Sequence, residues 1–241
     1  LLDLCRFSTN ENDDPISLSG YVEKMPEKQK DIYYISAETK DQALASPHLE
    51  GFKSKKIPVL IMTDAIDQFW LPMVGSFKEK KFTSITQGQI NLDDLDEKNK
   101  DKKKDDKNEK EKKDKEYVDL VAQLKVVLGD QVKDIRLSSK LTDSPVCLVA
   151  DEGDMDIAME QLMAQRDTNY KGAPRILEIN GDHSLIKNMK SLLSKKENND
   201  LVSDAGTLLF EQARLMEGKM PADPAQFSKI MNQFLLKAIP N

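Results

Sequence analysis

Asp151, Glu152, Asp154 and Asp156 put four carboxylates within six residues, and Met155, Met159, Leu162 and Met163 follow at i, i+4, i+7 and i+8. Clustered carboxylates can ligate a hard cation. A calcium loop, however, needs alternating ligands, a glycine at its sixth position and a glutamate at its twelfth, and this spacing departs from that pattern. Acidic residues at a helix start also complement the helix dipole, and one of them can cap the free N–H groups, each effect being worth about 0.3–1 kcal/mol. The cap explains these acids better than a metal, although an acidic metal-binding enzyme domain stays open as an alternative. For the stripe behind them, periodicity favours core packing, while unbranched thioethers also suit surfaces that accept many partners.

Other chemistry is sparse. His48 and His183 stand just inside predicted helix starts, away from any nucleophile or ligand motif, and are read as surface or capping residues. Cys5 and Cys147 lie far apart in apolar contexts and read as small buried side chains in a reducing compartment. The glycines stand singly, with no phosphate loop of the G-x-G-x-x-G or G-x-x-x-x-G-K-S/T kind. No catalytic, cofactor-binding or metal-ligating residue is therefore expected.

The elements that hold these residues follow from punctuation. Asp96 to Glu116 is almost wholly Lys, Asp and Glu, cannot enter a core, and reads as a solvated linker. It separates residues 1–95 from 117–241. In the first block, strand-like runs at Lys30–Ile35, Val59–Met62 and Phe82–Ile85 alternate with helical stretches at Asp41–Leu44, Pro47–Phe52 and Asp64–Val74. Such alternation implies a small, largely parallel three-layer α/β/α unit. In the second block, a helix from Tyr117 to Leu128 ends at Gly129, and strands at 132–137, 146–149 and 175–179 flank the quoted stretch. Asn180 or Asp182 can cap the next helix.

The last two helices are amphipathic. Leu201, Ala205, Leu208, Leu209 and Leu215 line the first as far as Gly218, a C′ glycine, and Asp223-Pro224 opens the second. Phe227, Ile230, Met231, Phe234, Leu235 and Ala238 form its stripe. Such a hairpin can bury one face on its own domain or pair with a second copy as a four-helix bundle, and periodicity leaves both open. The fold class is thus α/β and α+β.

Charged residues make up 32% of the chain and hydrophobic residues 39%, and no apolar run nears the roughly 18 residues of a membrane span. A net charge of -6 argues against a nucleic-acid partner bound through phosphate neutralisation. The opening Leu-Leu-Asp-Leu-Cys-Arg-Phe resembles neither a signal peptide nor a natural start, so the chain is expected to be a fragment.

The stretches YVEKMPEKQKDIYYISAETKDQALASPHLE, VLIMTDAIDQF, LGDQVKDIRLSSKLTDSPVCLVADEGDM, RILEINGDHSLIKNM and LLFEQARLMEG…DPAQFSKIMNQFL together resemble the ninety-kilodalton heat-shock family of molecular chaperones, in its bacterial form. The resemblance implies the C-terminal half of an ATP-driven homodimeric clamp. It makes residues 1–95 the end of the middle domain and 117–241 a C-terminal dimerisation domain, with ATP and magnesium bound in a missing N-terminal domain and no ATPase activity here. It implies client proteins bound at Phe69, Trp70, Met155, Met159, Leu162 and Met163. Dimerisation would fall on Leu208, Leu209, Leu215, Phe227, Ile230, Met231, Phe234 and Leu235. Pro72 is expected to break the helix that carries Phe69 and Trp70. The chain ends Ala238-Ile239-Pro240-Asn241, without the acidic tail that recruits helical-repeat co-chaperones, and the family implies a bacterial cytoplasm. A purely structural dimerisation module is the second alternative.

Overall fold

Alternation of side-chain direction along two short strands organises the first half of the fold. In strand β2 (Ile32–Ser36), Ile32 joins one apolar cluster while Tyr33 and Ile35 join another. In β3 (Leu60–Met62), Leu60 and Met62 likewise oppose Ile61. Successive strand residues point to opposite faces, so a strand buried on both faces needs cover on both. Helix α1 (Leu18–Lys24) supplies Leu18 and Tyr21 on one side. On the other side, α2 (Lys40–Leu44) contributes Ala43 and α3 (Glu50–Ser54) contributes Phe52.

The computed structural model describes residues 2–11, 14–95, 112–167, 170, 172–194 and 198–239, without the side chains of 93 and 94. Contacts divide it into two compact units: Leu1–Lys103, Ser139–Asp143 and Val149–Ala173 in the first, and Lys104–Ser138, Ser144–Leu148 and Pro174–Asn241 in the second. The first unit therefore includes the acidic and methionine stretch, which a linear division at the charged segment would assign to the other block. Most of that expected linker, 96–111, lies outside the described residues, and 112–116 are helical.

The sheet of the first unit runs β1-β3-β2-β5-β4, where β1 is Ser8–Thr9, β4 is Ser76–Phe77 and β5 is Lys80–Ser84. The central three strands are parallel and the two outermost are antiparallel to their neighbours. Helix α4 (Asp67–Val74) follows β3 and buries Leu71. Pro72 does not break it, because the helix runs two residues further and ends at Gly75, with φ 68°. The proline costs one backbone hydrogen bond, and the helix continues past it with Leu71 buried until the positive φ of Gly75 ends it.

In the second unit, β6 (Val132–Leu137) pairs in parallel with β8 (Arg175–Ile179), and β7 (Val146–Val149) completes the order β6-β8-β7. Leu120, Leu124 and Leu128 recur at i+4 along α5 (Val118–Leu128), and they pack into one core with Ile186 and Met189 of α7 (Ser184–Leu192). The cap of α7 is neither Asn180 nor Asp182: His183 Nδ1 accepts the Leu185 N–H at 3.1 Å. Asn180 is instead occupied with Ser144 and Asp182.

Helix α8 (Asn199–Met216) adds Val202, Leu209, Phe210 and Ala213 to that core. It ends in a Schellman turn, with Gly218 N–H to Leu215 O at 2.9 Å and Lys219 N–H to Arg214 O at 3.0 Å, around Gly218 at φ 75°. Asp223 then caps α9 (Pro224–Ala238) by accepting from Gln226 N–H at 2.9 Å, with Pro224 in the first helical position. Of the cysteines, Cys147 is buried as expected, whereas Cys5 is exposed.

Candidate functional site

Helix α6 (Ile157–Arg166) begins after the acidic run, so Asp151, Glu152 and Asp154 precede the helix and only Asp156 serves it as cap. Its Oδ1 accepts the Ala158 N–H at 2.9 Å. Its Oδ2 accepts from Ser84 Oγ at 2.5 Å and Thr86 Oγ1 at 2.8 Å. A carboxylate engaged in that way is turned from its acidic neighbours, and among the described residues no three His, Cys, Asp or Glu side chains could share a metal ion.

The methionine stripe is only partly helical. Met155 precedes α6 and is exposed, Met159 and Leu162 are half-buried, and Met163 is exposed. Ile157 and Glu160 are the buried residues of the helix. The core that periodicity favoured for the four apolar residues is therefore not found, because the helix buries a different face. Glu160 on that face accepts the Ala173 N–H at 3.1 Å.

Phe69 and Trp70 part company. Phe69 is exposed, as are Ile66, Met73 and Val74 around the same short helix, and Met73 reaches 86%. Trp70 packs edge-on to Phe82 with ring centroids 5.6 Å apart and lies 6.0 Å from Phe7, while its Nε1–H donates to Asp67 Oδ1 at 2.7 Å. Burial raises the carboxyl pKa of Asp67, and the bond from Trp70 opposes that shift. Trp70 thus belongs largely to the packing beneath the surface, since its indole N–H finds its acceptor inward.

The helical hairpin of the second unit sorts the other eight residues by face. Leu209 and Ile230 are buried, while Leu208, Phe227 and Phe234 are half-buried. Leu215, Met231 and Leu235 stay in solvent. The apolar surface is wider than the sequence stripe suggested, for Met216 and Met220 are exposed, and Leu236 and Ile239 are exposed at 76% and 71%. The turn between the helices is locked by the buried Glu211, which pairs with Arg214 at 3.2 Å while Arg214 Nη2 donates to Met220 O at 2.9 Å. None of Ser84, Thr86, Glu211 or Arg214 stands in a local pattern that would have singled it out.

Among the described residues no helix is long and apolar enough to cross a membrane. A model of the Hsp90 protein family matches residues 1–240. The chaperone protein HtpG of Roseobacter denitrificans is 41% identical over 241 residues, 99% of this chain and 38% of that protein. Those of Wolbachia pipientis and Streptomyces coelicolor are each 37% identical, covering 98% and 96% of this chain and 37% and 35% of their own length.

These findings correct two expectations built on placing the chain in the C-terminal half of its parent. The match is continuous over residues 1–240, and a coverage of 38% measures how much of a relative is matched without assigning it to either end. The expectation that ATP and magnesium belong only to another domain, leaving this chain dimerisation and client contact alone, is withdrawn. The absence of a nucleotide site from the chain is no longer expected. What the match over 1–240 and the HtpG relatives do establish is membership: the chain belongs to the Hsp90 protein family.

Proposed function

We propose that this chain works in a molecular chaperone by offering apolar surface to other protein chains. The observation that carries the reading is the set of large apolar side chains left in solvent on well-formed helices, namely Phe69 and Met73 with α4, Met155 and Met163 beside α6, and Leu235, Leu236 and Ile239 at the end of the chain. Soluble proteins keep such clusters small unless something binds them. Methionine suits partners of varied shape, because its unbranched thioether repacks at low cost.

Within this reading Phe69, Met155, Met159, Leu162 and Met163 contact non-native segments of client proteins. Trp70 supports Phe69 from beneath. Leu208, Leu215, Met231 and Leu235, over the buried Leu209 and Ile230 and the half-buried Phe227 and Phe234, form a face for a second copy, closing a four-helix bundle. The sequence-level organisation is proposed as 1–95, a charged 96–116 and 117–241, and the setting as a bacterial cytoplasm, like that expected of the HtpG relatives.

Replacing Met155, Met159, Leu162 and Met163 with serine should weaken suppression of client aggregation without lowering the unfolding midpoint by more than a few degrees. Unchanged suppression by a folded variant rules the contact role out. Light scattering on Leu235→Glu with Leu236→Glu should give half the mass of the unmodified chain, and a unmodified chain that is already monomeric rejects the second-copy face. Calorimetric titration with ATP and magnesium tests nucleotide directly. The chain has no Gly-rich phosphate loop of either kind sought in its sequence.

A further inference from the structure

Helix α6 is fastened mainly at one end, its far half carrying a long contact between exposed side chains, Gln165 Nε2 to Glu38 Oε1 at 3.5 Å. Of its ten residues only Ile157 and Glu160 are buried, both in the first turn, and Met163, Ala164, Gln165 and Arg166 are exposed. The segment before it is tied to the end of β5 and the residues after it. Ala150 N–H donates to Thr86 O at 2.9 Å, Gly88 N–H to Ala150 O at 2.8 Å, and Gln87 Nε2 to Asp154 O at 2.6 Å. Asp156 then binds the hydroxyls of Ser84 and Thr86, which are buried and lie 2.8 Å from one another.

Hydroxyls that donate to a carboxylate inside a protein make short, charge-assisted bonds, roughly twice as strong as neutral ones. An apolar anchor of one buried isoleucine, with Met159 and Leu162 half-buried beside it, is small beside the faces that hold α1 or α5. The helix is thus secured by a polar clamp at its start, with its far half in solvent. Segments with few buried apolar contacts open at low free energy while the rest of a unit stays folded.

We propose that α6 is a hinged strap held shut by the Asp156 clamp on Ser84 and Thr86, and that its opening, with the sheet intact, uncovers the half-buried Met159 and Leu162. The proposal rests on reading α6 as contact surface, and it makes the area of that surface adjustable. A partner that prefers the open form would shift the strap by its difference in affinity for the two forms.

Hydrogen exchange on the full chain tests it. Ser84→Ala with Thr86→Val removes both bonds of the clamp but leaves the Asp156 cap, and exchange over 157–166 should quicken by about tenfold or more, since even one lost charge-assisted bond would give about that. Exchange over 32–36 and 60–62 should be unchanged. Equal exchange in 157–166, or an equal rise in all three segments, overturns the strap. Should the double variant fail to fold, Asp156→Asn serves, since asparagine caps nearly as well but lacks the charge, and the same two outcomes apply. Aggregation suppression measured alongside separates the two claims. A strap that opens on cue without changing suppression removes the contact reading and leaves the hinge standing.

Discussion

Glu211 and Ala222 hold the helical hairpin in place across its turn: the Ala222 N–H is 3.1 and 3.2 Å from the two carboxylate oxygens of Glu211, which is buried. A buried carboxylate is tolerated only when paired and hydrogen-bonded, and here the partners are a backbone amide just before the cap of α9 and the guanidinium of Arg214. Glu211→Ala should cost about 1–3 kcal/mol by leaving both partners unsatisfied, and Glu211→Gln less, because one oxygen still accepts. Urea unfolding of the three proteins checks the order, and equal midpoints would remove the turn lock.

Gly206 faces Leu124 so closely that an added Cβ would stand 2.3 Å from Leu124 Cδ2. Alanine in a helix interior gains about 1 kcal/mol over glycine, whereas overpacking a core costs about 1–3 kcal/mol. Overpacking should win, so Gly206→Ala lowers the thermal midpoint. Combined with Leu124→Ala, the substitution should cost less than the sum of the two single changes, which a double-mutant cycle measures.

Phe69 and Trp70 are adjacent in sequence and opposite in consequence. Trp70→Ala opens the packing against Phe7 and Phe82 and should lose about 3–5 kcal/mol of stability. Phe69→Ala, on the solvent side, should stay within about 0.5 kcal/mol while weakening client binding. Calorimetric melting beside an aggregation assay separates them, and a stable Trp70→Ala protein would contradict the inward placement.

Acid titration should reveal two carboxylates of opposite sign. Burial raises Asp67 above 3.8, so the native state holds its proton more tightly than the unfolded chain does, and stability declines as pH rises through the raised value. The hydrogen bond from Lys113 at 2.6 Å lowers Asp182 below 3.8, so its contribution is present above that value and is lost as pH falls through the lowered one. Relative to the unmodified chain, Asp67→Asn should gain stability as pH rises and Asp182→Asn as pH falls. The second effect should be small, because the pair is exposed. Urea midpoints across the acid range read both slopes.

Local chemistry reached far into this fold. Paired strands with apolar residues in succession, the Asp223-Pro224 opening and the Gly218 turn all follow from rules that act over a few residues, and the structure has each of them. The same short range explains the misses. Pro72 costs α4 one backbone hydrogen bond, yet the helix continues to Val74, held by the buried Leu71. Asn180 and Asp182 are good caps by type, yet the tertiary partners Ser144 and Lys113 engage them, leaving His183 to cap α7.

By itself the sequence determined the alternation of elements, the parallel core of the first unit, the amphipathic hairpin and the family. It could not decide which face each element buries against which neighbour. Asp156 became a clamp because Ser84 and Thr86, 72 and 70 residues away in the chain, end beside it. Trp70 turned inward because Phe7 and Phe82 pack against it there, and Met163 stayed in solvent because Ile157 and Glu160 took the buried face. Periodicity names a stripe, but burial depends on the surface that long-range packing brings against it, and that surface is made by residues remote in the sequence.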